Sequence, residues 1–240
     1  VDKAPAKVGK MELKVEHLNV TDDAGVHRVK DVNFEVHSGE IVGIAGVSGN
    51  GQSELMDVIT GIKPIQEGQI KIKNETITPA LNTDAAAMRR FGMGHVPEDR
   101  QRRGLVTSFS ANENIILGYH KDPAYNRFFE MDRDAIVQSC TDQMEHFDVR
   151  PANPFLRTTL FSGGNQQKLV VAREMERDPN LLVVGQPTRG VDIGAIEFIH
   201  RQIIAMRDAG KAVLLISVEL DEILSLSDRI LVMFDGQIMG

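Results

Sequence analysis

Two stretches near the start of the chain, 11–18 and 29–36, alternate apolar and polar residues. This alternation predicts half-buried antiparallel strands, because successive side chains of a strand point to opposite faces. Further along, short apolar runs predict strands at 40–45, 68–73, 92–97, 181–185, 211–217 and 229–234, and helical periodicity predicts helices at 51–59, 84–91, 162–177, 194–209 and 219–227. Strand–helix alternation of this kind indicates a parallel sheet covered on both faces, and therefore an α/β fold.

The pattern changes after residue 97, where strand signals stop and helical periodicity appears at 110–117 and 132–148. In the second of these helices one face carries only apolar residues and a cysteine, namely Ile136, Cys140, Met144 and Phe147. We therefore expect a helical subdomain inserted into the α/β core, with Cys140 buried in it. The predicted divisions are a linker at 1–10, core at 11–97, the helical subdomain at 98–160 and core at 161–240.

Composition narrows the function classes. The 240 residues are 42% hydrophobic, enough for a sizeable core, and carry a formal net charge of −7. An acidic balance argues against a nucleic-acid partner, and no apolar run approaches the length of a membrane span. The chain begins with Val1 rather than Met, continues into a Pro/Ala/Lys-rich stretch, and stops just after a predicted turn at Asp235-Gly236. We expect it to be one domain excised from a longer polypeptide.

A phosphate-binding loop is predicted where the strand at 40–45 meets the helix at 51–59. Glycines there let backbone N–H groups and a helix N-terminus hold phosphate oxygens, while a hydroxyl contacts Mg²⁺. Gln52 stands at the position of the usual lysine and brings no positive charge. The residues expected to bind nucleotide are Gly46, Ser48, Gly49, Asn50, Gly51, Gln52, Ser53 and Glu54, with Ser53 as a weak Mg²⁺ ligand.

A second glycine-rich helix start comes after the predicted helical subdomain. Ser162, Gly163 and Gly164 open the helix at 162–177, so a hydroxyl and unpaired N–H groups point off its N-terminus toward an anion. Ser162 acting only as a helix N-cap is the simpler alternative, and the serine by itself does not decide between them. The next part of the chain favours an anion-binding role for this helix start over a simple N-cap. There the apolar strand at 181–185 runs directly into Gln186-Pro187-Thr188-Arg189-Gly190-Val191-Asp192.

This order of features resembles the nucleotide-binding domain of ABC transporters over residues 11–240. The resemblance implies a P-loop ATPase core with N-terminal antiparallel strands and an inserted helical subdomain, and it implies ATP and Mg²⁺ as cofactors. It identifies 46–53 as Walker A, 181–186 as Walker B and 190–192 as the D-loop, with Asp192 coupling two ATP sites. The signature motif would be Phe161, Ser162, Gly163, Gly164, Asn165 and Gln166.

Within that family, the spelling of 161–168, 96–100 and 187–190 resembles ribose- or nucleoside-type sugar importers, whose ATPase subunit carries two such domains in one polypeptide. Gln52 together with Gln186-Pro187 looks most like the second domain. The resemblance implies as partners a first nucleotide-binding domain in the same polypeptide, permease subunits and, indirectly, a solute-binding protein. It also implies a peripheral location on the cytoplasmic face of the bacterial inner membrane.

Four positions depart from the hydrolytic pattern of the family. Besides Gln52, Gly185 replaces the Walker B aspartate, Gln186 the general-base glutamate and Val218 the switch histidine; Glu98 fills the Gln-loop position. An amide cannot accept the proton of an attacking water, and loss of a general base typically lowers the rate about 10²–10⁴-fold. We therefore expect poor or no hydrolysis at this domain's own Walker site.

The hypothesis from sequence is that this domain lends its signature helix to an ATP held by the first domain. Two alternatives are an independently active ATPase that tolerates the substitutions, and a non-enzymatic nucleotide-binding dimerisation module. The charged run at 98–103 has two interpretations, a solvated loop or a surface that meets the permease.

Overall fold

The computed structural model describes residues 2–240, and strands and helices alternate along most of this length. The strands are β1 (Met11–Thr21), β2 (His27–His37), β3 (Ile41–Ala45), β4 (Glu67–Ile72), β5 (Glu75–Ile77), β6 (Met93–Val96), β7 (Asn126–Arg127), β8 (Glu130–Met131), β9 (Leu181–Gly185), β10 (Ala212–Ser217), β11 (Arg229–Phe234) and β12 (Gln237–Ile238). The α-helices are α1 (Gln52–Ile59), α2 (Ala85–Arg90), α3 (Ala111–Ile115), α4 (Arg133–His146), α5 (Gly163–Met175), α6 (Ile193–Asp208) and α7 (Leu220–Leu226).

The first compact unit comprises 2–95, 178–186 and 200–240. It contains an antiparallel sheet of order β2-β1-β4-β5, in which Leu13 pairs with Val36 and Val15 with Phe34. The alternating residues of β1 and β2 place one apolar face inward, as their pattern predicts. The α/β fold with antiparallel N-terminal strands is confirmed.

A second sheet in this unit has the order β12-β11-β3-β10-β9-β6. Strands β11, β3, β10 and β9 pair in parallel, and β12 returns antiparallel to β11 through the predicted turn at Asp235 and Gly236. Every residue of β3, β9 and β10 is buried, as expected for parallel strands covered on both faces. Apolar side chains from both sheets join α1 in one hydrophobic core, to which Val15, Ile44, Leu55 and Leu214 belong.

Residues 2–10, predicted as a linker, form no helix or strand within the described chain, and they are tied to this first unit. The Lys3 ammonium donates to the Leu226 carbonyl at 2.7 Å and to the Asp228 carboxylate at 2.8 Å. The buried Arg207 donates to the Ala4 carbonyl at 2.8 Å and also to Asp228. Whether this segment joins two domains stays a prediction.

The second compact unit comprises 96–177 and 187–199, and it contains the whole of the predicted helical subdomain, 98–160. The predicted apolar face of α4 is buried, since Ile136, Cys140, Met144 and Phe147 are each at most 6% exposed. The expectation that strands are absent here is wrong in one place, because β7 and β8 form a short antiparallel hairpin. The charged run is also partly helical, because residues 100–104 form a single π-helical turn.

Cys140 allows a test of this core. Burial raises the pKa of its thiol to about 12, so at pH 8 only about one thiol in ten thousand is the reactive thiolate. We expect Ellman's reagent to modify the folded chain only as fast as the chain unfolds, and to modify it at once in concentrated urea. Rapid stoichiometric labelling without denaturant would contradict the buried position.

Candidate functional site

The predicted phosphate loop connects β3 to α1 in the first unit. A Cβ atom added at Gly46 would lie 2.5 Å from the Met233 carbonyl oxygen, so the loop can leave β3 only with glycine at this position. Gly51 has φ of 98°, in the left-handed region that favours glycine, and ends the loop directly before α1. Ser48, Gly49 and Ser53 are exposed, and Glu54 lies in the first turn of α1.

Gln52 turns its carboxamide back onto the loop. Its Nε2 donates to the Val47 carbonyl at 2.9 Å, and its Oε1 accepts the Asn50 N–H at 3.0 Å. The side chain is 5% exposed. The neutral carboxamide therefore accepts a loop N–H that would otherwise be available to a phosphate oxygen. The loop forms both hydrogen bonds within itself and needs no anion to complete them.

Asn50 anchors the same loop to the β11–β12 turn. Its side-chain oxygen accepts the Asp235 N–H at 2.8 Å, and its carbonyl accepts the Gly236 N–H at 3.0 Å. Its side-chain amide donates to the Val47 carbonyl at 2.9 Å. Asn50 therefore links the loop to the β11–β12 turn by hydrogen bonds from both its side chain and its backbone.

Two of the predicted departures from the hydrolytic pattern, Gln186 and Val218, contact each other in this unit. Gln186 comes directly after β9 with φ of 45°, and its Oε1 accepts the Val218 N–H at 3.2 Å. The Gln186 N–H donates to the Ile216 carbonyl at 2.8 Å. The amide at the expected general-base position therefore ties the end of β9 to the segment after β10.

Weak Mg²⁺ binding at this loop stays a prediction, and Ser53 is the residue that would hold the ion. Such an ion is usually bound through one or two carboxylates, whereas Gly185 and Gln186 supply none and Ser53 supplies a hydroxyl. Among residues 2–240 no group of three or more His, Cys, Asp or Glu side chains is arranged to hold a metal.

The predicted signature helix is α5, in the second unit, and Ser162 is its N-cap. Ser162 Oγ accepts the Asn165 backbone N–H at 3.3 Å and the Asn165 side-chain amide at 2.9 Å. Asn165 is held in turn, because its side-chain oxygen accepts the Arg150 N–H at 2.8 Å. Ser162 is exposed and both acceptor positions of its oxygen are used, so its own O–H remains available to a further acceptor.

Three of the six predicted signature residues are buried, namely Phe161, Gly164 and Gln166. Phe161 is 5% exposed and Gln166 is 4% exposed. Gln166 donates to the Thr158 carbonyl at 2.8 Å and accepts from Gln101 at 3.3 Å. The hydrogen bonds of Gln166 hold the first turn of α5 in place, and Ser162, Gly163 and Asn165 are the accessible part of the motif.

The signature glycines pack directly against the predicted D-loop. A Cβ added at Gly163 would lie 2.6 Å from the Gly190 carbonyl oxygen, and one at Gly164 would lie 2.5 Å from an Asp192 carboxylate oxygen. Asp192 also caps α6 by accepting the Ala195 N–H at 3.0 Å. Both glycines are therefore required by contacts within the chain, independently of any ligand.

Because the contact of Gly163 is with backbone, we expect Gly163→Ala to lower the free energy of unfolding by about 1–3 kcal/mol. Gly194→Ala is the matched control in the first turn of α6, where an added Cβ has room at 3.5 Å from Asp192. Urea unfolding of both variants measures the difference. Equal stabilities would show that the chain tolerates a side chain at Gly163.

Sequence reasoning overlooked Arg100, which lies within a run of six charged or polar residues that gives no sign of its role. Its guanidinium donates from Nη1 to the Arg189 carbonyl at 2.7 Å and from Nη2 to the Gly190 carbonyl at 3.1 Å. Burial lowers the pKa of this guanidinium, and neighbouring Asp99 partly opposes that shift. Glu98 is half-buried two residues earlier.

Comparison with known proteins identifies the fold and the family. The profile of the family described as ABC transporter matches residues 29–189. The chain belongs to the ABC transporter family. A crystal structure of a nucleotide-free ATP-binding cassette from an ABC transporter superposes on this ABC domain with a TM-score of 0.80 at 23% identity, covering 96% of this chain and 90% of that one. A dimeric post-hydrolysis cassette with bound ADP and phosphate gives 0.79 at 22%, covering 95% and 97%. At these identities the likeness establishes the fold.

Similar proteins of known function are longer than this ABC domain. It is 46% identical to the nucleoside import ATP-binding protein NupA of Lactococcus lactis subsp. cremoris (strain MG1363), over all of this chain and 47% of NupA. It is 43% identical to the guanosine import ATP-binding protein NupO of Bacillus subtilis (strain 168), over all of this chain and 46% of NupO. The chain spans about half the length of these relatives.

Nucleotide-binding domains of this family bind ATP, typically with Mg²⁺. In this ABC domain the loop expected to hold phosphate lies in the first unit with Gln186 and Val218, and the signature and D-loop residues lie together in the second. Within the described residues no helix is long and apolar enough to cross a membrane.

Proposed function

We propose that this chain is the second, hydrolytically degenerate nucleotide-binding domain of an importer ATPase for nucleosides or simple sugars. Its role is to supply the start of α5 to an ATP held by a first domain of the same polypeptide. The names of the relatives support the substrate class, and their double length leaves room for a first domain.

One asymmetry between the two candidate sites carries this proposal. The Ser162 hydroxyl is exposed with its hydrogen free for an acceptor, at the positive end of a thirteen-residue helix. The loop of Gln52, in contrast, has its Asn50 N–H bonded internally and lacks a cation. The chain therefore presents anion donors outward more readily than it binds an anion in its own loop.

In this proposal the chain contributes hydrogen-bond donors and partial positive charge, held in a fixed position beside the phosphates of the partner's ATP. Ser162 donates its hydroxyl hydrogen and Gly163 its N–H toward a phosphate oxygen, and the helix dipole adds partial positive charge. Bound ATP supplies the phosphoanhydride bond whose hydrolysis drives import. Asp192 couples the two ATP sites through the D-loop, which it fixes by capping α6.

The proposed partners rest on the names of the same relatives and on their greater length. They are the first nucleotide-binding domain, permease subunits and, through the permease, a solute-binding protein, at the cytoplasmic face of the bacterial inner membrane. The experiment that tests the proposal is substitution of Ser162 in the full-length polypeptide assembled with its permease, with ATP turnover and solute uptake as readouts.

A second candidate is a non-enzymatic half that only completes the dimer. The packing of Gly163 and Gly164 against the D-loop favours it, because those contacts require glycine even where no ATP binds. Signature substitutions would then change assembly of the subunit and leave turnover of the assembled transporter unaltered.

A further inference from the structure

Arg100 bridges two backbone segments of the second unit. It begins the π-helical turn 100–104, whose N-cap Asp99 accepts the N–H groups of Gln101 and Arg102 at 3.1 Å each. The turn therefore has a fixed start, and the half-buried Arg100 side chain runs from it to the D-loop instead of into solvent.

The two acceptors are successive carbonyls, those of Arg189, directly before the D-loop, and of Gly190, its first residue. A guanidinium offers parallel donors in one rigid plane, so it holds both carbonyls at a fixed relative angle, whereas a lysine ammonium has no such fork. Gly190 has φ of 65°, in the left-handed region, which gives the D-loop the bend seen at this contact. Arg100 therefore fixes a loop conformation that a lysine ammonium would leave free to vary.

The same guanidinium also lies against the signature helix. A Cβ added at Gly163 would be 2.6 Å from Arg100 Nη2, so the guanidinium, the Gly190 carbonyl and the first turn of α5 meet at one point. The next residue along the turn, Gln101, donates to the side chain of Gln166 in α5 at 3.3 Å. The π-helical turn therefore contacts both elements that the proposed function places at the partner's ATP.

We propose that Arg100 is a positioning residue that holds the backbone at 189–190, where the D-loop begins, against the first turn of α5. The two elements then meet the partner's ATP as one rigid piece, and turnover there depends on the guanidinium fork. This inference rests on the proposed function, since it concerns catalysis at the partner's site. Arg100 itself makes its contacts to backbone, and its effect passes through the D-loop.

The first test measures D-loop motion in this chain, which contains no tryptophan. Ile193 is 86% exposed at the start of α6, so Ile193→Trp introduces one reporter beside the D-loop. In Arg100→Lys we expect a new fast component in the fluorescence anisotropy decay of this tryptophan. Arg102→Lys, an exposed arginine of the same turn, is the matched control and should leave the decay unchanged. Unaltered decays in both Arg100→Lys and Arg100→Ala would overturn the inference.

The second test measures turnover in the full-length polypeptide with its permease. Because a small displacement of a positioning group can lower a rate up to about a hundredfold, we expect kcat of Arg100→Lys to fall tenfold or more. The KM for ATP should change less than about twofold, because the ATP is proposed to be held by the phosphate loop of the other nucleotide-binding domain of the polypeptide. A general loss of folding would instead lower the amount of assembled transporter and leave kcat per assembled complex intact, which would also overturn the inference.

Ser162→Arg in the same preparation separates the two hypotheses. Normal kcat in Arg100→Lys and Arg100→Ala beside lost turnover in Ser162→Arg overturns the positioning role and leaves the proposed function standing. Normal turnover in Ser162→Arg overturns the proposed function, and the inference with it.

Discussion

Ser162→Arg in the full-length polypeptide is expected to lower ATP turnover and solute uptake at least about a hundredfold, the usual effect of losing one donor aimed at developing negative charge. The hydroxyl that points outward from α5 is lost, and a long side chain occupies the space above the helix start. Fold stability should change little, because the N-cap contributes only about 1 kcal/mol. Phosphate release by transporter in lipid vesicles measures turnover, and thermal unfolding measures stability.

Ser108→Arg is the matched control, since Ser108 is an exposed serine of the same unit. It should retain both turnover and uptake. Ser162 is a better target than the signature glycines, because substitutions at Gly163 and Gly164 also disturb the D-loop. Full turnover in Ser162→Arg would refute the proposal that α5 completes a partner's ATP site. Reduced assembly with normal turnover per assembled complex would favour the non-enzymatic candidate.

Gln52→Lys in this chain is expected to tighten ATP binding about tenfold to a hundredfold, which corresponds to one charge-assisted contact with phosphate. The lysine can still donate to the Val47 carbonyl, while the Asn50 N–H becomes free for a phosphate oxygen. Hydrolysis should stay slow, because Gln186 cannot act as a general base. Isothermal titration calorimetry with ATP measures the change.

Gln52→Met separates the two effects of this substitution. It removes both hydrogen bonds of the carboxamide and adds no charge, so it should lower stability by about 1–3 kcal/mol without the gain in affinity. An equal gain in Gln52→Met would mean that the glutamine only blocks the loop. Unchanged affinity in Gln52→Lys would refute the explanation from the missing charge.

Local periodicity was sufficient to predict most elements of the fold. The apolar runs of β3, β9 and β10 are buried on both faces, so they are recognisable without knowledge of their neighbours. The apolar face of α4 was identifiable from the helical spacing of its apolar residues, which is also a local feature of the sequence. The hairpin of β7 and β8 was not, because two-residue strands are too short to show any alternation.

The candidate site was predictable where its chemistry is contiguous in the chain and not where it depends on distant backbone. The loop at 46–53 and the helix start at 162–164 are contiguous, so their glycines and hydroxyls are visible in the sequence. The inward turn of Phe161 and Gln166 was not visible, since the position of Gln166 depends on contacts with Thr158 and Gln101. The contacts of Arg100 join residues about ninety positions apart, and no local pattern encodes them.

The sequence by itself determined the α/β class and the ABC resemblance, and it predicted that Gln52, Gly185, Gln186 and Val218 depart from the hydrolytic pattern of the family. These conclusions need only the identity and order of residues. The tertiary structure decided how the altered positions are satisfied, with Gln52 bonded to its own loop and Gln186 to Val218. It also decided that the signature glycines pack on the D-loop, with Arg100 beside them. The physical reason is that hydrogen bonding and steric fit depend on distances between atoms that only the folded chain brings together.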